Sequence, residues 1–145
     1  MRVLLVSGNT YTQPYPVYPL GLDYVAGALA ERHPVCLVDM NVQPDGNSLA
    51  KAIEGFGPDV VGLSIRNIDT TDCTRPNGFF AQHRELVAAI RSRTDAPLVL
   101  GGSGFTIFPE LMMRELDADY GIIGEGERLS LLLDALERRE DAPAG

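Results

Sequence analysis

Arg66 stands where an apolar stretch of the sequence gives way to a polar one, and this position suits ligand binding. The stretch 60–65 is rich in branched aliphatic residues and predicts a strand that is buried on both faces. Residues just beyond such a strand lie at the carboxyl edge of a parallel sheet, where open α/β folds bind their ligands. We therefore expect the Arg66 guanidinium and the Ser64 hydroxyl to contact a ligand. The alternative is a salt bridge from Arg66 to Asp69 or Asp72 that only orders the loop.

Two glycine clusters allow a second kind of contact, in which main chain lies directly against a ligand. Gly101-Gly102-Ser103-Gly104 follows one apolar run, and Gly124-Glu125-Gly126 follows the next. Glycine removes side-chain volume, so a ligand can approach the backbone closely. A single glycine pair is ordinary in a tight turn, but two clusters after neighbouring strands predict a slot for a ligand.

Hydrophobic periodicity predicts the elements that position these residues. Five apolar runs predict strands, and apolar residues at helical spacing predict a helix after each strand. Such alternation predicts an α/β fold, a three-layer sandwich around a five-stranded parallel sheet with the strand order 2-1-3-4-5. The predicted strands are 2–7, 35–38, 60–65, 97–100 and 119–123. The predicted helices begin at Pro19, Asn47 or Ser48, Phe79, Pro109 and close to Leu129.

Two connections are longer than the usual βα loop, which has about two to six residues. The loop 8–18 follows the first strand and the loop 66–78 follows the third. In the order 2-1-3-4-5 these two strands flank the topological switch, where a crevice for a ligand forms. These two long loops therefore predict a ligand site at the crevice.

The composition excludes several classes of partner. The chain has 145 residues, a formal net charge of −8 and a single lysine, Lys51. Nucleic acids and anionic membranes need clustered positive charge, so we expect neither as a partner. Cys36 and Cys73 are too few for a disulfide framework and suit a reducing compartment. No apolar run approaches the roughly 20 residues of a membrane span, and no signal-peptide pattern precedes the first strand. We expect a cytoplasmic domain.

Short motifs occupy the predicted strand ends and the start of the first helix. They are Pro19-Leu20-Gly21, Ser64 to Asp69, Gly101 to Phe105 and Gly124 to Glu127. In this order they resemble the N-terminal cobalamin-binding domain of cobalamin-dependent radical S-adenosylmethionine enzymes, and the resemblance covers almost the whole chain. It implies a flavodoxin-like, or Rossmann-like, fold and cobalamin (vitamin B12) as the cofactor.

The resemblance also bears on how cobalt would be held. Long-known cobalamin-binding domains carry D-x-H-x-x-G after strand one, S-x-L at the end of strand three and G-G after strand four. Ser64-Ile65-Arg66 resembles S-x-L and Gly101-Gly102 resembles G-G, which in that family line the channel for the nucleotide tail of base-off cobalamin. Ser7-Gly8-Asn9-Thr10 stands where the cobalt-ligating histidine would be. The resemblance therefore implies base-off cobalamin without a histidine lower ligand.

Arg66 receives a specific role from this resemblance. A guanidinium stays protonated and has no lone pair to donate, so it cannot ligate cobalt. Our hypothesis is that Arg66 lies beneath the corrin ring and keeps water from coordinating its lower face. No residue is expected to be catalytic or to bind a metal directly. The implied cofactor-binding residues are Asn9, Thr10, Leu20, Ser64, Ile65, Arg66, Asn67, Gly101, Gly102, Ser103, Gly104, Phe105, Gly124, Glu125 and Gly126.

The resemblance implies a module of a longer enzyme. Radical S-adenosylmethionine chemistry needs three cysteines, usually C-x-x-x-C-x-x-C, to hold a [4Fe–4S] iron–sulfur cluster, and two cysteines cannot supply them. We expect 1–138 to be the cobalamin-binding domain and 139–145 to begin a linker to an absent radical S-adenosylmethionine domain. This fragment would bind cofactor without turnover. The resemblance favours a parent methyltransferase that also uses S-adenosylmethionine and acts on a small-molecule or peptide acceptor, and it leaves open a parent that rearranges or cyclises its substrate.

Other classes share this architecture. A flavodoxin-type domain binds flavin mononucleotide, and Ser7 to Thr12 resembles its hydroxyl-rich phosphate loop, although Gln13 to Tyr18 separate that segment from the first helix. A cofactor-free domain that keeps the fold for protein contacts is a further alternative. A response-regulator receiver fits less well, because Asn9 and Arg66 stand where it needs acidic residues.

Several other side chains have structural interpretations. His33 precedes the second strand and belongs at the opposite edge of the sheet, whereas the helical spacing of His83 predicts a core position. Glu125 and Glu127 have a second interpretation, which is a favourable interaction with the dipole of the last helix. Three tyrosines of the first long loop would line the cofactor, contact the absent domain or do neither: Tyr11, Tyr15 and Tyr18.

Overall fold

The computed structural model describes residues 1–10, 12, 14–42, 47–66 and 78–140, with backbone alone for 78 and 79. Within them, five parallel strands form one sheet with the order β2-β1-β3-β4-β5. This order confirms the flavodoxin-like α/β fold predicted from the sequence. The strands are β1 Val3–Ser7, β2 Val35–Asp39, β3 Val60–Ser64, β4 Leu98–Gly101 and β5 Tyr120–Gly121.

Helices cover both faces of the sheet, which is why the central strands are apolar along their length. The helices are α1 Leu20–Ala30, α2 Asn47–Phe56, α3 Gly78–Arg91, α4 Ser103–Ile107, α5 Pro109–Leu116 and α6 Leu129–Arg138, and a 3-10 turn at Gly126–Arg128 precedes α6. Buried residues of α1 and α6 pack on one face of the sheet, and those of α2, α3 and α5 pack on the other. None of the described helices is long and apolar enough to cross a membrane.

The pleat of the strands assigns each residue to one of these faces. Ser7 of β1 pairs with Ser64 of β3, which in turn pairs with Gly101 of β4. These three small residues form a row at the carboxyl ends of the strands, on the face covered by α1 and α6. One step below, Leu5, Gly62 and Val99 form the next row on the same face.

Three segments differ from their sequence predictions. Ser103 and Gly104, expected in the glycine-rich loop after the fourth strand, begin helix α4 instead, and Phe105 of this helix is buried and packs against Gly121. Strand β5 has two residues rather than the five of 119–123. Helix α1 begins at Leu20 with Pro19 as its N-cap residue, so the proline precedes the helix instead of opening it.

The amino edge of the sheet carries a small polar cluster. His33 is 4% exposed, and its Nδ1 lies 3.3 Å from the Met1 amine. That amine also donates a hydrogen bond of 3.0 Å to Glu137. The cluster lies at the edge opposite to the two long loops, as predicted for His33.

Candidate functional site

A cavity of about 820 Å³ opens at the carboxyl ends of β1, β3 and β4, on the face covered by α1 and α6. Its floor is the sheet, one side is the start of α1, and the other side consists of the loops after β4 and β5. The residues that line it are Leu5, Ser7, Asn9, Val17, Tyr18, Pro19, Leu20, Gly21, Leu22, Tyr24, Val25, Gly62, Leu63, Ser64, Arg66, Val99, Leu100, Gly101, Gly102, Ser103, Ile122, Gly124, Glu125, Gly126, Glu127 and Leu129. It therefore occupies the edge that the strand order predicts for ligand binding.

The floor is recessed because a strand residue without a side chain lies at its centre. Gly62 lies within β3, and a Cβ atom added there would be 2.9 Å from Cδ2 of Leu5. Any side chain at this position would push Leu5 aside and fill the space above the sheet. Sequence reasoning did not select Gly62, although a glycine inside a strand often marks close approach by another group.

Gly102 joins the loop after β4 to the end of β3. Its φ is 96°, a left-handed conformation that favours glycine, and an added Cβ would lie 2.6 Å from the carbonyl oxygen of Ile65. Ile65 donates a backbone hydrogen bond of 2.8 Å to Gly101 and accepts one of 2.9 Å from Gly104. The glycines here thus hold two strand ends together while leaving the cavity open.

Gly124 and Gly126 lie after β5 and, with the loop after β4, form one side of the cavity. Gly124 has a φ of 81° and donates its amide to the Thr106 hydroxyl at 3.1 Å. A Cβ added to Gly126 would lie 2.6 Å from Cγ2 of Val25, so the 3-10 turn approaches α1 closely only because residue 126 is glycine. Gly101, Gly102, Gly124 and Gly126 are named the glycine wall.

The opposite side carries large side chains. Val17, Tyr18, Leu20 and Tyr24 all line the cavity, and Tyr18, Leu20 and Tyr24 are 60%, 59% and 67% exposed. These four residues are named the tyrosine wall. Apolar side chains left this exposed around a concave site are typical of a surface that a ligand covers.

The position of the tyrosine wall is set by two polar contacts. Asn41, which is buried, donates its side-chain amide to the carbonyl of Val17 at 3.3 Å. A hydrogen bond to the Asp23 carboxylate raises the pKa of Tyr18, and desolvation and the negative charges of Asp23 and Asp39 raise it further. The loop before α1 is therefore anchored both to the turn after β2 and to the first turn of its own helix.

Arg66 lies at the mouth of the cavity, where its side chain is exposed. Its carbonyl oxygen accepts a hydrogen bond of 3.0 Å from Ser103, which connects it to the loop after β4. Asn67, Asp69 and Asp72 lie outside the described residues, so the alternative salt bridge of Arg66 stays a prediction.

The structure places ten predicted site residues around the cavity and four elsewhere. Ile65 and Phe105 have buried side chains in the core on the other face of the sheet, and Gly104 is buried beside them. The Thr10 hydroxyl accepts a hydrogen bond from the Gln82 amide on α3. The predicted residues that line the cavity are Asn9, Leu20, Ser64, Arg66, Gly101, Gly102, Ser103, Gly124, Glu125 and Gly126.

Two further predictions concern acidic and imidazole side chains. Glu125 and Glu127 line the cavity, and Glu125 makes no side-chain capping hydrogen bond to the 3-10 turn. His83 is 4% exposed, and its Nε2 lies 3.4 Å from where a Cβ on Gly8 would be, so it is buried as predicted. Among the described residues, no group of three or more His, Cys, Asp or Glu side chains could hold a metal ion.

Curated proteins with related sequences are methyltransferases by name. The chain is 28% identical over 117 residues to tryptophan 2-C-methyltransferase of Streptomyces laurentii, covering 79% of the chain and 20% of that protein. It is 32% identical over 146 residues to an uncharacterized methyltransferase of Pyrococcus horikoshii, covering 95% of the chain and 30% of that protein. The chain thus spans less than a third of the length of these relatives.

Solved structures that resemble this chain include cobalamin-containing radical S-adenosylmethionine enzymes. The radical S-adenosylmethionine methyltransferase TsrM of Kitasatospora setae, with cobalamin and a [4Fe-4S] cluster bound, is 34% identical and superimposes with a TM-score of 0.82. The match covers 97% of this chain and 25% of TsrM. The cobalamin-dependent S-adenosylmethionine radical enzyme OxsB shares the fold, with a TM-score of 0.71 at 21% identity.

The family model of the B12 binding domain matches residues 7–133, which is most of the chain. The matched region begins at the end of β1 and includes every residue that lines the cavity except Leu5. This chain therefore belongs to the B12-binding domain family and is homologous to the corresponding region of cobalamin-dependent radical S-adenosylmethionine methyltransferases.

Proposed function

We propose that this chain is the cobalamin-binding module of a radical S-adenosylmethionine methyltransferase, and that it holds base-off cobalamin without a histidine lower ligand. The observation that carries the proposal is the cavity floored by Gly62 and flanked by Ser64, Gly101 and Gly102. Membership of the B12-binding domain family supports it.

The dimensions and lining of the cavity fit the detached nucleotide tail. Its deep part lies between the sheet and helices α1 and α6, where Leu5, Val25, Val99 and Leu129 form apolar walls for an aromatic base. Small residues at the strand ends give main chain and hydroxyl groups for the polar parts of the tail. A Cβ at residue 62 would intrude on the floor of this space, and one at residue 102 would clash with the end of β3.

The lower face of the corrin would meet Arg66 rather than an imidazole. The chain has two histidines, and His33 lies at the opposite edge of the sheet while His83 is buried beneath Gly8. The Arg66 guanidinium stays protonated, has no lone pair for cobalt, and would exclude water from the lower face. Bound cobalamin would supply a carrier for the methyl group in the reaction of the parent enzyme.

Titration of the chain with hydroxocobalamin tests the proposal. We expect a change in the visible spectrum that indicates base-off binding, and no comparable binding of flavin mononucleotide. A chain that stays colourless with hydroxocobalamin, or that turns yellow with flavin mononucleotide instead, contradicts the proposed function.

The role of Arg66 needs its own variants. We expect Arg66→His to change the spectrum of the bound cofactor because imidazole can ligate cobalt, and Arg66→Ala to change it because water can enter. Spectra identical to the wild type in both variants would reject the role of Arg66 and leave cobalamin binding intact.

The parent reaction extends this proposal beyond the chain. Relatives of which the match covers only 20% and 30% are methyltransferases by name, and the TsrM structure carries both cobalamin and a [4Fe-4S] cluster. We propose that residues 139–145 lead to the domain that binds the cluster and S-adenosylmethionine, and that the methyl acceptor is a small molecule or peptide. Transfer of label from methyl-labelled S-adenosylmethionine to cofactor bound on the full-length protein is the expected result. Absence of transfer in a fully loaded protein contradicts it.

A further inference from the structure

The ladder between β4 and β5 ends in an unusual way. Leu100 pairs with Gly121, and the amide of Ile122 donates to the carbonyl of Leu100 at 2.8 Å. A parallel ladder repeats every two residues, so its next bond would run from the amide of Gly124 to the carbonyl of Gly102. The Thr106 hydroxyl lies between these two groups instead, accepting from Gly124 at 3.1 Å and donating to Gly102 at 3.1 Å.

A threonine hydroxyl in a helix often bonds the carbonyl four residues earlier, and Gly102 has that position relative to Thr106. This habit accounts for one of the two bonds. The other joins α4 to a residue 18 positions later, beyond the end of β5. A hydroxyl has one donor and two acceptor sites, so a single oxygen can bridge an amide and a carbonyl. The Gly102 carbonyl also accepts the backbone amide of Thr106 at 3.1 Å, so both Thr106 groups bind it.

The bridge through the hydroxyl is longer than a direct bond between the two strand ends would be. Two successive bonds of 3.1 Å replace a direct bond of about 2.9 Å. Gly102 and Gly124 both line the cavity and both have positive φ, whereas Thr106 does not line it. A contact behind the glycine wall therefore joins its two loops.

We propose that Thr106 is a positioning residue that holds the ends of β4 and β5 apart and sets the width of the cavity for cobalamin. The cobalamin part of this inference rests on the proposed function. Without the hydroxyl, Gly124 either pairs directly with Gly102, which narrows the gap, or loses its partner and moves.

Thr106→Val tests the inference because it keeps the shape of the side chain and removes the hydroxyl, while Thr106→Ser keeps the hydroxyl. We expect Thr106→Val to bind hydroxocobalamin about tenfold more weakly, as for the loss of a hydrogen bond. Thr106→Ser should bind like the wild type. The matched control is Thr94→Val, which removes a hydroxyl that accepts a backbone amide at 3.1 Å from Ala96, away from the cavity.

Hydrogen exchange of the Gly124 amide in the cofactor-free chain gives a second measurement. We expect a changed exchange rate in Thr106→Val and an unchanged rate in Thr106→Ser and Thr94→Val. If the valine variant does not fold, Thr106→Ala replaces it with the same expected results. Wild-type affinity in the variant without the hydroxyl, or equal weakening in Thr106→Ser, overturns the inference.

The two measurements separate this inference from the proposed function. If the wild type does not bind hydroxocobalamin, the proposed function fails, whereas exchange at Gly124 still decides whether Thr106 spaces the two strands. If the wild type binds and the exchange rate of Gly124 is the same in all variants, the role of Thr106 fails alone.

Discussion

The two walls of the cavity differ in what holds them in place. The glycine wall is fixed by close backbone packing and one side-chain hydroxyl: Gly102 packs on the end of β3, and the Gly124 amide is bonded to the Thr106 hydroxyl. The tyrosine wall consists of large exposed side chains on a loop that Asn41 anchors to the turn after β2. Gly102 and Gly126 of the first wall have no room for a side chain, whereas the second wall can adjust its rotamers. We infer that the glycine wall sets the shape that is accepted and that the tyrosine wall adds contact area.

The largest effect is expected from Gly102→Ala. The new Cβ would lie 2.6 Å from the carbonyl of Ile65, at a φ of 96°. A strained non-glycine residue of this kind costs about 1–3 kcal/mol in free energy of unfolding, and the displaced loop should abolish hydroxocobalamin binding. Urea unfolding and titration measure the two effects. Gly55→Ala is the matched control, since an added Cβ there meets nothing within 4 Å and alanine favours helix α2. Wild-type binding by Gly102→Ala would show that the glycine wall is not rigid.

An intermediate effect is expected from Tyr24→Ala. Tyr24 is 67% exposed and lines the cavity, so its removal should leave the free energy of unfolding almost unchanged while lowering affinity. Loss of part of an aromatic contact area corresponds to a decrease of about tenfold in affinity for hydroxocobalamin. Tyr15→Ala is the control, because Tyr15 is 68% exposed and does not line the cavity. Equal affinities of the two variants would contradict the role assigned to the tyrosine wall.

The smallest effect concerns the pH dependence of Tyr18. The hydrogen bond to Asp23 raises the pKa of the phenol, so the folded chain holds this proton more tightly than the unfolded chain does. The contribution to stability is complete below the ordinary pKa of tyrosine and is lost as pH rises through the raised value. Tyrosinate absorbance during an alkaline titration should show Tyr18 titrating above the ordinary pKa of tyrosine, and Asp23→Asn should bring its pKa back towards that ordinary value. A titration curve unaffected by Asp23→Asn would contradict the contact.

The fold and the glycine wall could be predicted because their signals are local. Apolar runs that alternate with segments of helical periodicity predict a parallel sheet and its strand order. Glycines after two adjacent strands predict backbone that a ligand can approach closely. The pleat explains one of the displaced predictions: Ser64 and Ile65 are neighbours in sequence and point to opposite faces, so Ile65 had to enter the core. Phe105 also lies in the core rather than in the cavity, because helix α4 directs its side chain to the same face of the sheet as Ile65.

Other parts of the site could not be derived from local patterns. Gly62 matters only because Leu5 of the neighbouring strand leans over it, and that contact depends on register. The bridging role of Thr106 depends on Gly124, 18 residues later, and no spacing rule connects the two. The exposed Tyr24 lies on a helix whose buried stripe gives no indication of which remaining residues border a cavity.

The register of β3 has a consequence for how such domains can change. Gly62 and Ser64 lie on one face of the sheet, and the side chain of Leu63 lies in the core of the other face. Deleting a single residue from the strand would turn the Leu63 side chain towards the cavity and move the serine hydroxyl into the hydrocarbon core. Insertions and deletions are therefore tolerated only in the connections, and variation in length between relatives should collect there while the strands keep their count.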